Sequence, residues 1–203
     1  MNISSVILGF VAGIASKIIG DLLIREVSRP ELRLDFHANS ANCVTRTENR
    51  DRDGQFVSNC HYFSIRVSNV GRTTARNCRG YLVGIERLGD NGDWYTVAED
   101  VIQLMWAYSD HSENGKGYDL LPGMYRYLNI ASVDERWPEK FTPSTISKPH
   151  SWQSHLMRTG KTRLLIQVAA EEAESRRRVI EIEWGAHWDE YAIARADFDQ
   201  YES

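Results

Sequence analysis

The chain has 203 residues, a net charge of −4 and an isoelectric point near 5.9, with 42% apolar and 26% charged residues. That is enough chain for one domain with a real core, and the acidic balance argues against a nucleic-acid binder working by bulk positive charge. The odd count of three cysteines, none in a C-x-x-C pair, excludes a dense disulfide scaffold and a zinc cage of the usual spacing.

The first 29 residues form a segment of their own. Residues 3–27 are the only long run with helical apolar periodicity, and within them Gly9, Gly13, Ser16 and Gly20 are spaced four, three and four apart. At ~100° per residue they fall on one narrow helix face. A glycine inside a helix costs up to ~1 kcal/mol relative to alanine, so such a stripe needs a reason. Gly9 to Gly13 is a G-x-x-x-G, which lets two helix backbones approach closely in lipid. The expectation is a helix that associates with a membrane and forms homo-oligomers through this face. Lys17 and Asp21 interrupt the apolar run, and a span needs about 20 mostly apolar residues. The two are i,i+4 partners, and Lys17 can snorkel, so the run from Ile3 to Ile24 is long enough if they pair. Arg25, Arg29 and Arg33 follow, which places the rest of the chain in the cytoplasm if the helix spans. The competing readings are a helix packed on its own domain, or a signal peptide leading to a soluble or secreted protein. The second lacks a positive charge before its apolar run.

Residues 30–186 read as strands. Pro30 closes the helix region. Leu32, Leu34 and Phe36 alternate with charged residues and predict a half-buried strand over 31–37. Residues 38–59 are polar and read as a long loop with a turn at Asp53-Gly54. Phe63, Ile65 and Val67 alternate with Ser64, Arg66 and Ser68, and a turn follows at 69–71. Residues 75–88 form the next strand. There Tyr81, Val83 and Ile85 share one face, and Leu82 shares the other with Gly80 and Gly84, a glycine-lined face able to sit close to another sheet. A turn at 90–93 leads to short strands at 94–97 and 101–107, a loop at 109–119 and a strand at 124–133. Residues 134–160, with three prolines, read as an excursion without regular structure. Residues 164–170 and 178–184 predict a pair of strands with Ile180, Ile182 and Trp184 buried. The tail, 187–203, reads as a short helix or an arm, with the balance towards helix.

Roughly seven or eight strands with no helix between them predict a mainly β fold: a single antiparallel Ig-like β-sandwich behind one glycine-striped helix, with inserts at 38–59 and 134–160. Ser68-Asn69-Val70-Gly71, then Ala75 and a long apolar strand, resembles the pattern of bacterial immunoglobulin-like modules of the CARDB type over about 25 residues. The resemblance implies a binding or spacer domain and transfers no catalytic residue.

A search for chemistry returns little. His37, His61, His111, His150, His155 and His187 include no i,i+4 pair within a helical pattern, so no metal site is expected. Gly160-Lys161-Thr162 lacks the upstream glycine of a phosphate loop, and Asp51-Arg52-Asp53-Gly54 lacks the ligands that complete a calcium loop. No nucleophile, acid and base can be assembled, so the expectation is a protein that is not an enzyme and takes no cofactor. Cys43, Cys60 and Cys78 read as buried free thiols, with a Cys60–Cys78 bridge as the exception. Trp137 and Trp152 in the excursion offer a surface for a protein partner or, in a soluble binding module, a carbohydrate. Arg176, Arg177 and Arg178 form either a solvated turn or a contact for acidic lipid or an acidic partner.

Overall fold

The computed structural model describes residues 28–37, 40–51, 53–109, 115–138, 141–147, 160–175, 177–185, 187–188 and 191–195. The glycine-striped segment lies outside these residues. Thirteen strands and no helix occur among the described residues: β1 Leu32–Asp35, β2 Val44–Arg50, β3 Phe56–Asn69, β4 Ala75–Leu88, β5 Trp94–Ala98, β6 Ile102–Gln103, β7 Tyr118–Leu120, β8 Tyr125–Asp134, β9 Phe141–Pro143, β10 Gly160–Ala170, β11 Ala173–Glu174, β12 Arg178–Trp184 and β13 Tyr191–Arg195.

They form two antiparallel sheets. The first runs β1-β3-β8-β9, and β2 pairs with β3. Strand β3 is long enough to hold two partners on one edge: β1 pairs along 66–69 and β2 along 56–63. The second runs β13-β12-β10-β4-β5, with β6 and β7 on β4 and β11 on β10. The period-two patterns put Phe63, Ile65, Val67, Leu128 and Ile130 of the first sheet against Leu82, Leu164, Ile166, Ile180 and Ile182 of the second, all at most 1% exposed. Each such side chain contributes roughly 1.5–3 kcal/mol by leaving water, which makes this layer the main source of stability. Gly80 shows how closely the sheets approach: a Cβ there would overlap Cδ2 of Leu128 across the sandwich. Gly80 and Leu82 thus lie on the inner face, but an irregularity at Val83 breaks the predicted alternation: Ile85 is buried in the core and pairs with Leu164, whereas Gly84 pairs with half-buried Leu165 on the outer face. On the outer face of the second sheet, Arg163 bridges Glu181 at 3.2 Å and Glu86 at 3.9 Å and lies 3.7 Å from the Trp94 ring centre.

Four further expectations are corrected. The 38–59 stretch is not a loop: β2 and the start of β3 form a hairpin around Asp53-Gly54, where the Asp51 carboxylate accepts hydrogen bonds from the backbone of Asp53 and Gln55. Strand β2 is solvent-facing along most of its length, so it carries no apolar alternation to read. Within 134–160, β9 pairs with the edge of β8, and Pro143 is tolerated because an edge strand can spare its N–H. The stretch 101–107 is divided between the sheets: β6 pairs with β4, whereas Trp106 bridges Leu128 of the first sheet. In the tail, Tyr191–Arg195 pairs with β12 as a strand, giving that edge a partner where a helix was expected.

Candidate functional site

One end of the sandwich is organised by a single side chain. Asn69, at the end of β3, is fully buried. Its Nδ2 donates to the carbonyls of Thr73 at 2.7 Å and Leu120 at 2.8 Å. Its Oδ1 accepts from the backbone N–H of Gly71 at 3.0 Å and Glu31 at 3.2 Å. All the hydrogen-bonding capacity of the amide that counts here is used to hold three chain segments together: the entry to β1, the β3–β4 loop and the β7–β8 turn. Val70 N–H donates to Glu31 O, and the Thr73 hydroxyl donates to Ser28 O. Gly71 packs so closely on the entering chain that a Cβ would overlap Glu31 N and come within 2.5 Å of Arg29 O. Asn69 and Gly71 thus fix where the preceding chain leaves the domain.

The same end gathers charge and exposed apolar side chains. Arg29, Arg72, Arg76 and Pro122 line one recess with Glu171 and Glu172. Arg178 lines the adjoining recess with Arg29, Arg33 and Glu174. Val70, Leu121 and Met124 are each about half exposed on the β3–β4 loop and the β7–β8 turn. The residues come from four separate parts of the sequence, and of them only Arg29, Arg33 and Arg178 carried a signal that could be read beforehand.

The predicted partner residues do not form one surface. Trp137 is 49% exposed and follows β8, with its N–H bonded to Asp134 O. Arg177 is exposed and Arg178 half-buried at the opposite end, since Tyr125 at the start of β8 pairs with Ser68 beside the Asn69 hub. The ten residues of β8 separate the two ends by ~30 Å. Trp152, Arg176, Gly9, Gly13, Ser16 and Gly20 lie outside the described residues.

A second feature was missed from the sequence. A groove of about 330 Å³ opens on the outer face of the first sheet, lined by Thr45, Thr47, Tyr62, Ser64, Tyr108 and Asn129 among others. Ser64 Oγ donates to Asn129 Oδ1 at 2.7 Å. Tyr108 is 84% exposed on a backbone with φ of 59°, a conformation uncommon outside glycine. Burial pushes the Tyr62 phenol up, aided by neighbouring Cys60, so it remains a neutral hydroxyl. The lining holds hydroxyls, amides and aromatic rings and no charged side chain. Its outward positions on β3 alternate visibly in the sequence, but Asn42, Thr45 and Thr47 come from the stretch read as a loop.

The three cysteines and Asp134 are structural. All three cysteines are free and buried. The alternative Cys60–Cys78 bridge does not form, because Cys60 pairs with Asp134 at the far end of β8 whereas Cys78 pairs with Tyr118 near the start of β4, towards the Asn69 end. Burial pushes both thiols up to about 11, which suppresses the reactive thiolate. Burial also acts to raise Asp134, but hydrogen bonds from the side chain and backbone of Arg136 and from Asn49 outweigh it and hold the carboxyl at about 2. The folded value lies below the ordinary 3.8, so this group stabilises the fold above pH ~4, and the contribution disappears as pH falls towards 2. Because the site is partly solvated, this contribution is about 1 kcal/mol. Asp134→Asn is therefore expected to lower stability at pH 7 by about that amount and to narrow its gap from wild type between pH 4 and 2, as read by urea denaturation at each pH.

Among the described residues no group of three His, Cys, Asp or Glu could hold a metal ion, and no helix is long and apolar enough to cross a membrane. No family model and no curated protein matches the chain.

Proposed function

We propose that this chain is a non-enzymatic, membrane-associated interaction protein, in which an Ig-like sandwich is tethered and multimerised by a glycine-striped helix within residues 1–27. One observation carries the reading. The chain enters the domain pinned at Ser28 to Glu31 against the Asn69 hub, so the apolar segment departs from the end where arginines and exposed Val70, Leu121 and Met124 collect. An apolar segment is thus joined directly to the part of the domain best suited to face a bilayer. The sandwich then presents its far end, with Trp137, and its outer faces to a protein partner in the cytoplasm.

Glycines on one helix face gain their value only when a second helix fills the space above them. Gly13→Leu is therefore expected to shift the full-length protein in mild detergent from an oligomer to a smaller species in sedimentation velocity. An unchanged sedimentation coefficient would count against assembly through this face.

A second reading is favoured by the groove on the first sheet. Its uncharged hydroxyls and amides beside exposed Tyr108 suit a neutral polar ligand such as a saccharide, which fits a soluble or secreted binding module. On that reading the N-terminal segment is dispensable for solubility and size.

A further inference from the structure

We infer that the Asn69 end of the sandwich is a docking surface for a bilayer containing anionic lipid. This rests on the proposed membrane location of the N-terminal segment, and it specifies how the folded domain itself meets the membrane. Three observations converge. The 27 residues that precede the described chain end at Ser28, which is held within this end by Thr73, so a segment in the bilayer brings this surface to the headgroups. Val70, Leu121 and Met124 project there with 49–54% of their surface exposed, and inserting them removes apolar area from water. Arg72 and Arg76 are exposed beside them and form no ion pair among the described residues. Guanidinium groups next to an apolar tip match phosphate groups above an acyl layer, through bidentate hydrogen bonds as well as charge.

The patch is not uniformly basic. Glu171 and Glu172 share the recess with Arg29, Arg72 and Arg76, and the whole chain is at −4. Bulk charge alone therefore does not hold the domain on the surface. Docking needs the apolar tip and the arginines together, which predicts sensitivity to either being removed.

Because the native thiols are buried, Met124→Cys supplies the one exposed described position for a thiol-reactive fluorophore. The labelled full-length protein would be floated with vesicles of phosphatidylcholine alone and of phosphatidylcholine with phosphatidylglycerol, and probed by nitroxide-labelled lipid and by aqueous iodide. The label is expected to be quenched by the lipid probe in the anionic vesicles. Introducing Arg72→Ala and Arg76→Ala should cut the docked fraction, at about fivefold in the docking equilibrium per arginine. Protein that floats with both vesicles while the label stays open to iodide would overturn the docking surface and leave the membrane segment standing. Protein that floats with neither would overturn both. Equal lipid quenching in neutral and anionic vesicles would overturn the anionic preference.

Discussion

Asn69→Ala is expected to destabilise the domain by about 3–5 kcal/mol, near the upper end of single-substitution effects. The side chain is fully buried and makes four hydrogen bonds to backbone groups of three segments. Truncation leaves two N–H groups and two carbonyls without this partner, and each buried group left unsatisfied costs roughly 1–3 kcal/mol. Water can reach some of them, because Gly71 and Glu31 are not fully buried, which keeps the total below the sum. Urea denaturation should show a lower midpoint with an unchanged slope. A loss under about 1 kcal/mol would mean that the end loops are held by strand pairing alone.

Gly71→Ala is expected to cost about 2–3 kcal/mol, with the damage confined to one place. The added Cβ meets backbone atoms of Arg29, Pro30 and Glu31, which cannot yield as a side-chain tip can. The entering chain must move, and with it the pairing of Leu32 to Asn69 and Leu34 to Val67. Hydrogen exchange should accelerate at the β1 amides while the β10–β12 ladder keeps its protection. Uniform acceleration across both sheets would point to global destabilisation instead. The result also bears on function, since the same displacement would loosen the coupling between the N-terminal segment and the domain.

The parts of the fold that were legible in the sequence are those with one dry face. Strands β3, β4, β8, β10 and β12 bury alternate residues, and the period of two survives in their composition. Strand β2 exposes most of both faces, β9 holds an edge proline, and β13 is rich in alanine, so none writes a periodic signal even though each pairs well. The candidate site was less legible for a different reason. Asn69 and Gly71 were readable as a turn, but their hydrogen-bonding and steric roles depend on Glu31 and Leu120, which are remote in sequence. Arg72 and Arg76 acquire meaning only when folding places them beside Arg29 and Pro122. Trp137 and Arg178, each a candidate for partner contact in the sequence, stand at opposite ends of the sandwich.

The central claim is that residues 1–27 bind the protein to a membrane and to copies of itself. The most direct test is membrane fractionation of the full-length protein beside a chain beginning at Ser28, with molecular size measured on both. The expected result is a full-length protein recovered with membranes as an oligomer and a shortened chain recovered in the supernatant as a monomer. Full-length protein that remains soluble and monomeric, indistinguishable from the shortened chain, would contradict the claim.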